Sequence, residues 1–241
     1  MKKILVLEDV SAGYGDTPIV SGIHMDVAEK EIVTIAGTNG AGKSTLIKAI
    51  MGLLPMVTGR IELNGQNLRE LPVNRRIYQG IGYVPQVSNV FGTLTVLENL
   101  QVVEAVDDRK AMIDKMLTLF PALAERRRTQ AENLSGGERQ QLAFARALMS
   151  RPSLILLDEP SAALSPGLTD QVFNEVKRLP GLGVAVLMVE QRARQALEFS
   201  DRGYILDSGR IVLADTAQAL LQNQEMADLY IGRSGVPSRH S

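Results

Sequence analysis

Along this chain, short apolar runs rich in Val and Ile alternate with longer stretches whose apolar residues return every three or four positions. Residues 4–10 and 32–36 are of the first kind and predict strands. Leu46, Ile47, Ile50, Leu53 and Leu54 are of the second kind, and Gly52 and Pro55 mark where that helix fails. Residues 60–63 read as a strand running into Asn64-Gly65, a dipeptide suited to a tight hairpin turn. A further short strand at 81–84 is closed by Pro85. From about residue 87 to 150 no convincing strand occurs, and amphipathic stretches such as 112–120 predict a helical insertion. Strands then return at 154–157, 184–189, 204–206 and 211–213, with helices over 168–179 and 192–199 between them. Strands alternating with helices predict an α/β chain with a mainly parallel sheet and ligands at the carboxyl ends of its strands. The core thus falls into two parts, 1–86 and 151–232, around the insertion at 87–150, with a loose tail at 233–241.

Composition narrows the class. The chain has 241 residues, 45% hydrophobic and 22% charged, which is ample for a real core. A net charge of -1 gives no electrostatic reason to expect a nucleic-acid partner. Without cysteine, disulfides and thiolate metal sites are excluded. Met1-Lys2-Lys3-Ile4-Leu5-Val6-Leu7 imitates a secretion leader, but Glu8 and Asp9 cut it short. The longest plain apolar run, 184–189, falls well below the roughly 18 residues that mark a membrane span. The expectation is a soluble chain; if it works at a membrane, another chain must cross it.

The chemistry concentrates in three places. Gly37-Thr38-Asn39-Gly40-Ala41-Gly42-Lys43-Ser44 follows one predicted strand and opens a helix, with Thr45 next. Glycines let such a loop curl until its N–H groups face phosphate oxygens, and the helix start adds positive partial charge. Lys43 can then reach the β- and γ-phosphates of a nucleotide, and the Ser44 hydroxyl can ligate Mg²⁺. At the end of Leu154-Ile155-Leu156-Leu157, an apolar strand delivers Asp158 and Glu159 to the sheet edge. Asp158 suits the outer sphere of magnesium, and Glu159 is placed to take a proton from attacking water. The third place is Leu134-Ser135-Gly136-Gly137-Glu138-Arg139-Gln140. Ser135 and Glu138 form a capping box for a helix through Met149, but a cap leaves two glycines unexplained. Bare backbone at a helix start is a second anion cradle, and one nucleotide has no need of two. The economical reading is that it grips the nucleotide of a neighbouring subunit. By contrast, Arg126-Arg127-Arg128 reads as a solvated helix end.

These motifs, in this order and approximate spacing, resemble the ABC ATPases over nearly the whole chain. The resemblance implies a P-loop NTPase fold with a RecA-like core, an N-terminal antiparallel β subdomain and a helical subdomain. It implies ATP and Mg²⁺ as ligands and a head-to-tail dimer with a second ATPase subunit of the same or different sequence. In that dimer Ser135, Gly136 and Gly137 close on the γ-phosphate held by the partner's P-loop. Gln86, in Tyr83-Val84-Pro85-Gln86, matches the glutamine that senses Mg²⁺ and water and couples them to a transmembrane permease. Tyr14, in Gly13-Tyr14-Gly15, matches the aromatic that stacks on adenine. The protein would lie peripherally on the inner, cytoplasmic face of the cell membrane.

Two positions depart from the general pattern. Glu190-Gln191 stand where most members carry a switch histidine, and Ser165 stands where the loop 161–166 usually has aspartate. His24 and His240 lie outside every motif. Gln191 can donate a hydrogen bond to a γ-phosphate but cannot carry a proton as imidazole does. These features, with Val189-Glu190-Gln191, Ala193-Arg194-Gln195-Ala196-Leu197, the stretches 200–206 and 209–213 and the opening 10–15, look like the LivF type from branched-chain amino-acid importers. That resemblance implies an ATP-hydrolysing subunit powering uptake of hydrophobic amino acids or related small solutes, served indirectly by a solute-binding protein. Two alternatives stand beside it: a nucleotide-gated dimerisation module with little turnover, and an ABC ATPase outside transport.

Overall fold

The computed structural model describes residues 1–87, 89–162 and 164–223. Its first elements are β1 (Lys3–Gly13), β2 (Val20–Ala28), β3 (Ile32–Ala36), α1 (Lys43–Met51), β4 (Met56–Leu63) and β5 (Gln66–Asn67). Next come α2 (Val73–Arg76), β6 (Ile81–Val84), α3 (Val96–Gln101), α4 (Arg109–Leu119), α5 (Pro121–Glu125) and α6 (Gly136–Leu148). The order closes with β7 (Leu154–Asp158), α7 (Pro166–Arg178), β8 (Ala185–Glu190), α8 (Ala193–Glu198), β9 (Arg202–Asp207), β10 (Arg210–Thr216) and α9 (Ala217–Gln222). No helix among the described residues is long and apolar enough to cross a membrane.

Two sheets organise these elements. An antiparallel sheet runs β2-β1-β4-β5, and a six-stranded sheet runs β10-β9-β3-β8-β7-β6. In the second, the neighbours from β9 to β6 are parallel and β10 alone pairs antiparallel. Successive side chains of a strand face opposite ways. Leu154 and Leu156 accordingly join a core with α1 and the antiparallel sheet, whereas Ile155 and Leu157 join one with α6 and α7. Burial on both faces explains why these strands read as unbroken apolar runs.

The structure extends several sequence expectations. The strand expected at 4–10 runs from Lys3 to Gly13, with register shifts along its pairing to β2. That partner went unread, although Ile23, Met25 and Val27 alternate with His24 and Asp26; Gly22, at φ 61°, breaks the period just before them. Asn64 and Gly65 both take positive φ, as the hairpin turn requires. Between 89 and 150 the elements are helical, apart from an isolated bridge between Thr95 and Gln130. The tail expected at 233–241 lies outside the described residues.

One contact fixes the helix that carries the glycine-rich loop. Arg76, nearly inaccessible, donates from Nη1 to the carbonyls of Ala49 and Ile50 at 3.2 and 2.6 Å, and from Nε to Leu71 at 3.4 Å. Those α1 carbonyls belong to the last turn, where the Gly52 amide also donates to Ala49 at 3.0 Å, and a cation there is favoured by the helix dipole. Burial lowers the Arg76 pKa from its ordinary value. Replacing Arg76→Met should therefore destabilise the fold by about 1–3 kcal/mol, the cost of taking a buried donor from Ile50 and a second one from Ala49. Urea unfolding reads this directly, and an unchanged midpoint would mean the α1 carbonyls are satisfied without the guanidinium.

Candidate functional site

β3 ends at Ala36 and α1 begins at Lys43, so the loop between them sits at the carboxyl edge of the parallel sheet. Gly40 and Gly42 adopt φ of 82° and 103°, which other residues tolerate poorly. Close packing imposes glycine elsewhere: a Cβ on Gly37 would strike the Leu206 carbonyl, and one on Gly42 would lie 2.5 Å from Val20 Cγ1. The turn between β9 and β10 braces the loop from behind, because the Gly209 amide donates to the Ala41 carbonyl at 3.0 Å. Motif spacing within 37–44 carried no sign of that brace. Thr38, Asn39 and Gly40 remain exposed on the open side, while Ala41, Gly42 and Thr45 are buried.

Lys43 folds back into this loop and is only 4% exposed. Its Nζ donates to the carbonyls of Gly37 and Thr38 at 3.0 and 3.1 Å and lies 3.3 Å from Glu159 Oε1. The neighbouring Ser44 hydroxyl donates to Asp158 Oδ1 at 2.7 Å. Burial raises the Asp158 pKa, offset by the Ser44 hydrogen bond and reinforced by the charge of Glu159. Glu159 itself has φ 47°, while its amide donates to Val189 and its Oε2 accepts from Gln86 Nε2 at 3.1 Å. The structure therefore brings together Lys43, Ser44, Asp158, Glu159 and Gln86 from three separate segments of the chain.

Other expected residues stand around this centre. Tyr14 is exposed, and Lys48 holds it by a 3.0 Å hydrogen bond to its hydroxyl and by an ammonium 5.6 Å from the ring centre. Lys48 went unread as part of the site; it lies one turn beyond Ser44 on α1, the spacing that brings side chains onto one face. Gln191 is exposed just beyond β8, next to the buried Glu190. Ser135, Gly136 and Gly137 begin α6, and there the capping box forms as expected. Ser135 Oγ accepts from the Glu138 amide at 3.2 Å, and Glu138 Oε2 accepts from the Ser135 amide at 2.8 Å. Arg126 pairs with the same glutamate at 3.5 Å. Ser135 thus bonds within its own helix start and not with the loop around Lys43. Ser165 is the N-cap of α7 without a side-chain bond to its helix.

Comparison with known proteins fits this geometry. Residues 20–162 match the sequence model described as ABC transporter. The chain is 44% identical to the Pseudomonas aeruginosa high-affinity branched-chain amino acid transport ATP-binding protein BraG, covering 95% of this chain and 100% of that one. It is 40% identical to the Archaeoglobus fulgidus protein named "Probable branched-chain amino acid transport ATP-binding protein LivF", over 92% of this chain and 96% of that one. Among solved structures, the ADP conformation of MJ1267, an ATP-binding cassette of an ABC transporter, superposes with a TM-score of 0.84 at 27% identity. That match covers 96% of this chain and 100% of the other.

The capping box makes a stability prediction with a pH signature. Ser135→Ala should cost about 1 kcal/mol in urea unfolding, the usual loss for an N-cap. Glu138 has its pKa lowered, first by the Ser135 amide and then by the Ser135 hydroxyl. A carboxylate held below its unfolded pKa adds stability that is complete above the unfolded value and fades as pH falls through the folded one. Glu138→Gln should then lower the unfolding midpoint at neutral pH, with the gap to the parent closing below about pH 4.3. A gap independent of pH would show that the ionised carboxylate is not what caps the helix.

Proposed function

This chain belongs to the ABC transporter family as one of its ATP-binding cassettes, and on that premise we propose that it powers import of branched-chain amino acids or related small hydrophobic solutes. It is an ATPase. The reaction is hydrolysis of MgATP between two cassettes arranged head to tail. The observation that supports the hydrolysis is the convergence of Lys43, Ser44, Asp158, Glu159 and Gln86 at one sheet edge, and the similarity to the two branched-chain amino acid transport proteins supports the importer reading.

Each residue then has a task. The amides of 37–45, including Gly37, Thr38, Asn39, Gly40, Ala41, Gly42 and Thr45, cradle the phosphates, with Lys43 against the β- and γ-oxygens. An incoming γ-phosphate competes with Glu159 for the ammonium, which frees that carboxylate to accept a proton from water. Ser44, Asp158 and Gln86 fit a magnesium ion. Asp158 is buried and accepts from a neutral hydroxyl, so an added cation would stabilise its ionised form. Magnesium usually takes one or two protein carboxylates besides phosphate and water, and it supplies charge neutralisation on the phosphate oxygens. Tyr14 offers its ring to adenine. Gln191 donates to the γ-phosphate from the far side. Among the described residues the start of α6 has no bond to the loop around Lys43, which supports the role of Ser135, Gly136 and Gly137 at a partner's nucleotide.

Coupling to a membrane partner has a surface to use. A groove of about 450 Å³ is lined by residues that include Tyr83, Pro85, Phe91, Val102 and Arg146. Phe91 and Val102 are exposed there, and Val87 is exposed just beyond Gln86. Arg146 lies 4.4 Å over the Phe91 ring and donates to the Asn89 carbonyl at 2.8 Å, which stiffens one wall. A short helix of a transmembrane permease is the proposed occupant, with a solute-binding protein delivering cargo on the other side. The cassette would then sit peripherally on the inner face of the membrane.

Glu159→Gln should reduce phosphate release by about 10² to 10⁴-fold while nucleotide affinity stays within a few fold. Parental turnover in that variant would remove Glu159 as the base. In the assembled transporter, crosslinkers placed at Val87 and Phe91 should capture the permease, and capture of no permease would sink the docking assignment.

A further inference from the structure

Glu190 is the last residue of β8 and is 1% exposed, yet no task above uses it. Its register partner is Ala36, the residue before the phosphate-binding loop, and Val189 beside it pairs with Asp158. Among the described residues no lysine or arginine pairs with its carboxylate. Instead Oε1 accepts from the Ser161 amide at 2.9 Å, a buried bond across 29 positions of sequence. Burial raises the Glu190 pKa, and the Ser161 amide offsets part of that shift. A buried carboxylate without a counter-charge is destabilising, and the long-range bond from the Ser161 amide offsets part of that cost.

Two more bonds run in the same direction. Arg192 Nη1 donates to Thr169 Oγ1 at 3.2 Å, and Gln195 Nε2 donates to Asp170 Oδ1 at 3.1 Å. Residues 190, 192 and 195, flanking Gln191, therefore grip Ser161 and the start of α7. Leu168, on that same first stretch of α7, packs against the start of α6. Its Cδ1 lies 3.6 Å from where a Cβ on Gly136 would stand, and its Cδ2 2.9 Å from one on Gly137. Leu164 Cδ2 lies 3.9 Å from the Gly136 position. Ser161 and the start of α7 thus have the residues around Gln191 bonded to them, and Leu164 and Leu168 pack against Gly136 and Gly137.

We propose that Glu190 is a positioning residue that fixes Ser161 and the start of α7, and through them Gly136 and Gly137, to the strand that leads into Gln191. One chain's contact to its own nucleotide and its contact to the partner's nucleotide then move as a unit. The inference deepens the proposed function and rests on its assignment of Gln191 and of Gly136 and Gly137 to two different nucleotides. Its consequence is cooperativity between the two sites of a dimer.

Two variants of Glu190 test it on the full chain. Glu190→Gln keeps a carbonyl oxygen to accept from Ser161, whereas Glu190→Leu keeps the volume and removes the acceptor. Hydrogen exchange, which needs no turnover, should show the Ser161 amide opening at least about tenfold faster in the leucine variant. The glutamine variant should stay near the parent, and the amides of 37–44 should be unaffected in both. In steady-state ATP hydrolysis the leucine variant should lose about tenfold in kcat, with its Hill coefficient falling toward about 1. The glutamine variant should restore both. Unchanged exchange at Ser161, or equal effects of glutamine and leucine, would overturn the anchor. Faster exchange with kcat and cooperativity intact would overturn the coupling. A parent that hydrolyses no ATP would remove the proposed reaction and the coupling with it, while the exchange measurements would still decide the anchor.

Discussion

The ammonium of Lys43 is the constraint around which the carboxyl edge of the sheet is arranged. A buried cation is costly unless charge and hydrogen bonds surround it, and here two loop carbonyls and one carboxylate do so. The carbonyls arrive on the loop that leaves β3, and the carboxylate arrives at the end of β7, two strands away in the sheet. Their meeting depends on register. β3 pairs Ala36 with Glu190 of β8, and β8 pairs Val189 with Asp158 of β7. A slip of one residue in either ladder would turn Asp158 to the opposite face and part it from Ser44.

The same loop shows why the antiparallel strands and the parallel sheet work as one scaffold. Ser21 at the start of β2 donates to the Gly209 carbonyl, and the Gly209 amide donates to Ala41 inside the loop. Gly209 tolerates no side chain, since a Cβ there would strike the Ile19 carbonyl. With Gly37 pressed against Leu206 and Gly42 against Val20, the loop is clamped between β2 and β9. Amides held rigidly before a ligand arrives lose little freedom on binding it, which is the physical value of such a clamp.

What could be read from the sequence was what is local. The glycine spacing at 37–44, the apolar run ending in Asp158 and Glu159, and the capping box of Ser135 and Glu138 are each determined within about ten neighbours, and each stands where expected. Strands buried on both faces also announce themselves by continuous apolarity, as 154–157 does. The unread features rest on distant partners. Arg76 bonds carbonyls 26 and 27 positions away, and the turn at Gly209 closes on a loop far upstream. Lys48 lay in plain view on α1, but its role depends on where Tyr14 comes to rest. Glu190 and Gln191 read as one unit in sequence, yet the first is the last buried residue of β8 and the second stands exposed just beyond the strand end.

Glu159 shows how the scaffold and the chemistry meet. A residue other than glycine at φ 47° is strained by about 1–2 kcal/mol, and such strain persists only where the surroundings over-determine it. Here the amide of Glu159 is tied to Val189, its carbonyl accepts from Ala162, and its carboxylate is shared by Lys43 and Gln86. Two of these holds act on the backbone and two on the side chain. In the proposed reaction a triphosphate competes only for the side-chain partners, because it draws away the ammonium and brings a cation near Gln86. The backbone ties to β8 and to the segment after Glu159 are untouched by that exchange. The carboxylate can therefore change partners while its Cα stays fixed, and the two backbone ties that hold the strained conformation keep the base at the sheet edge.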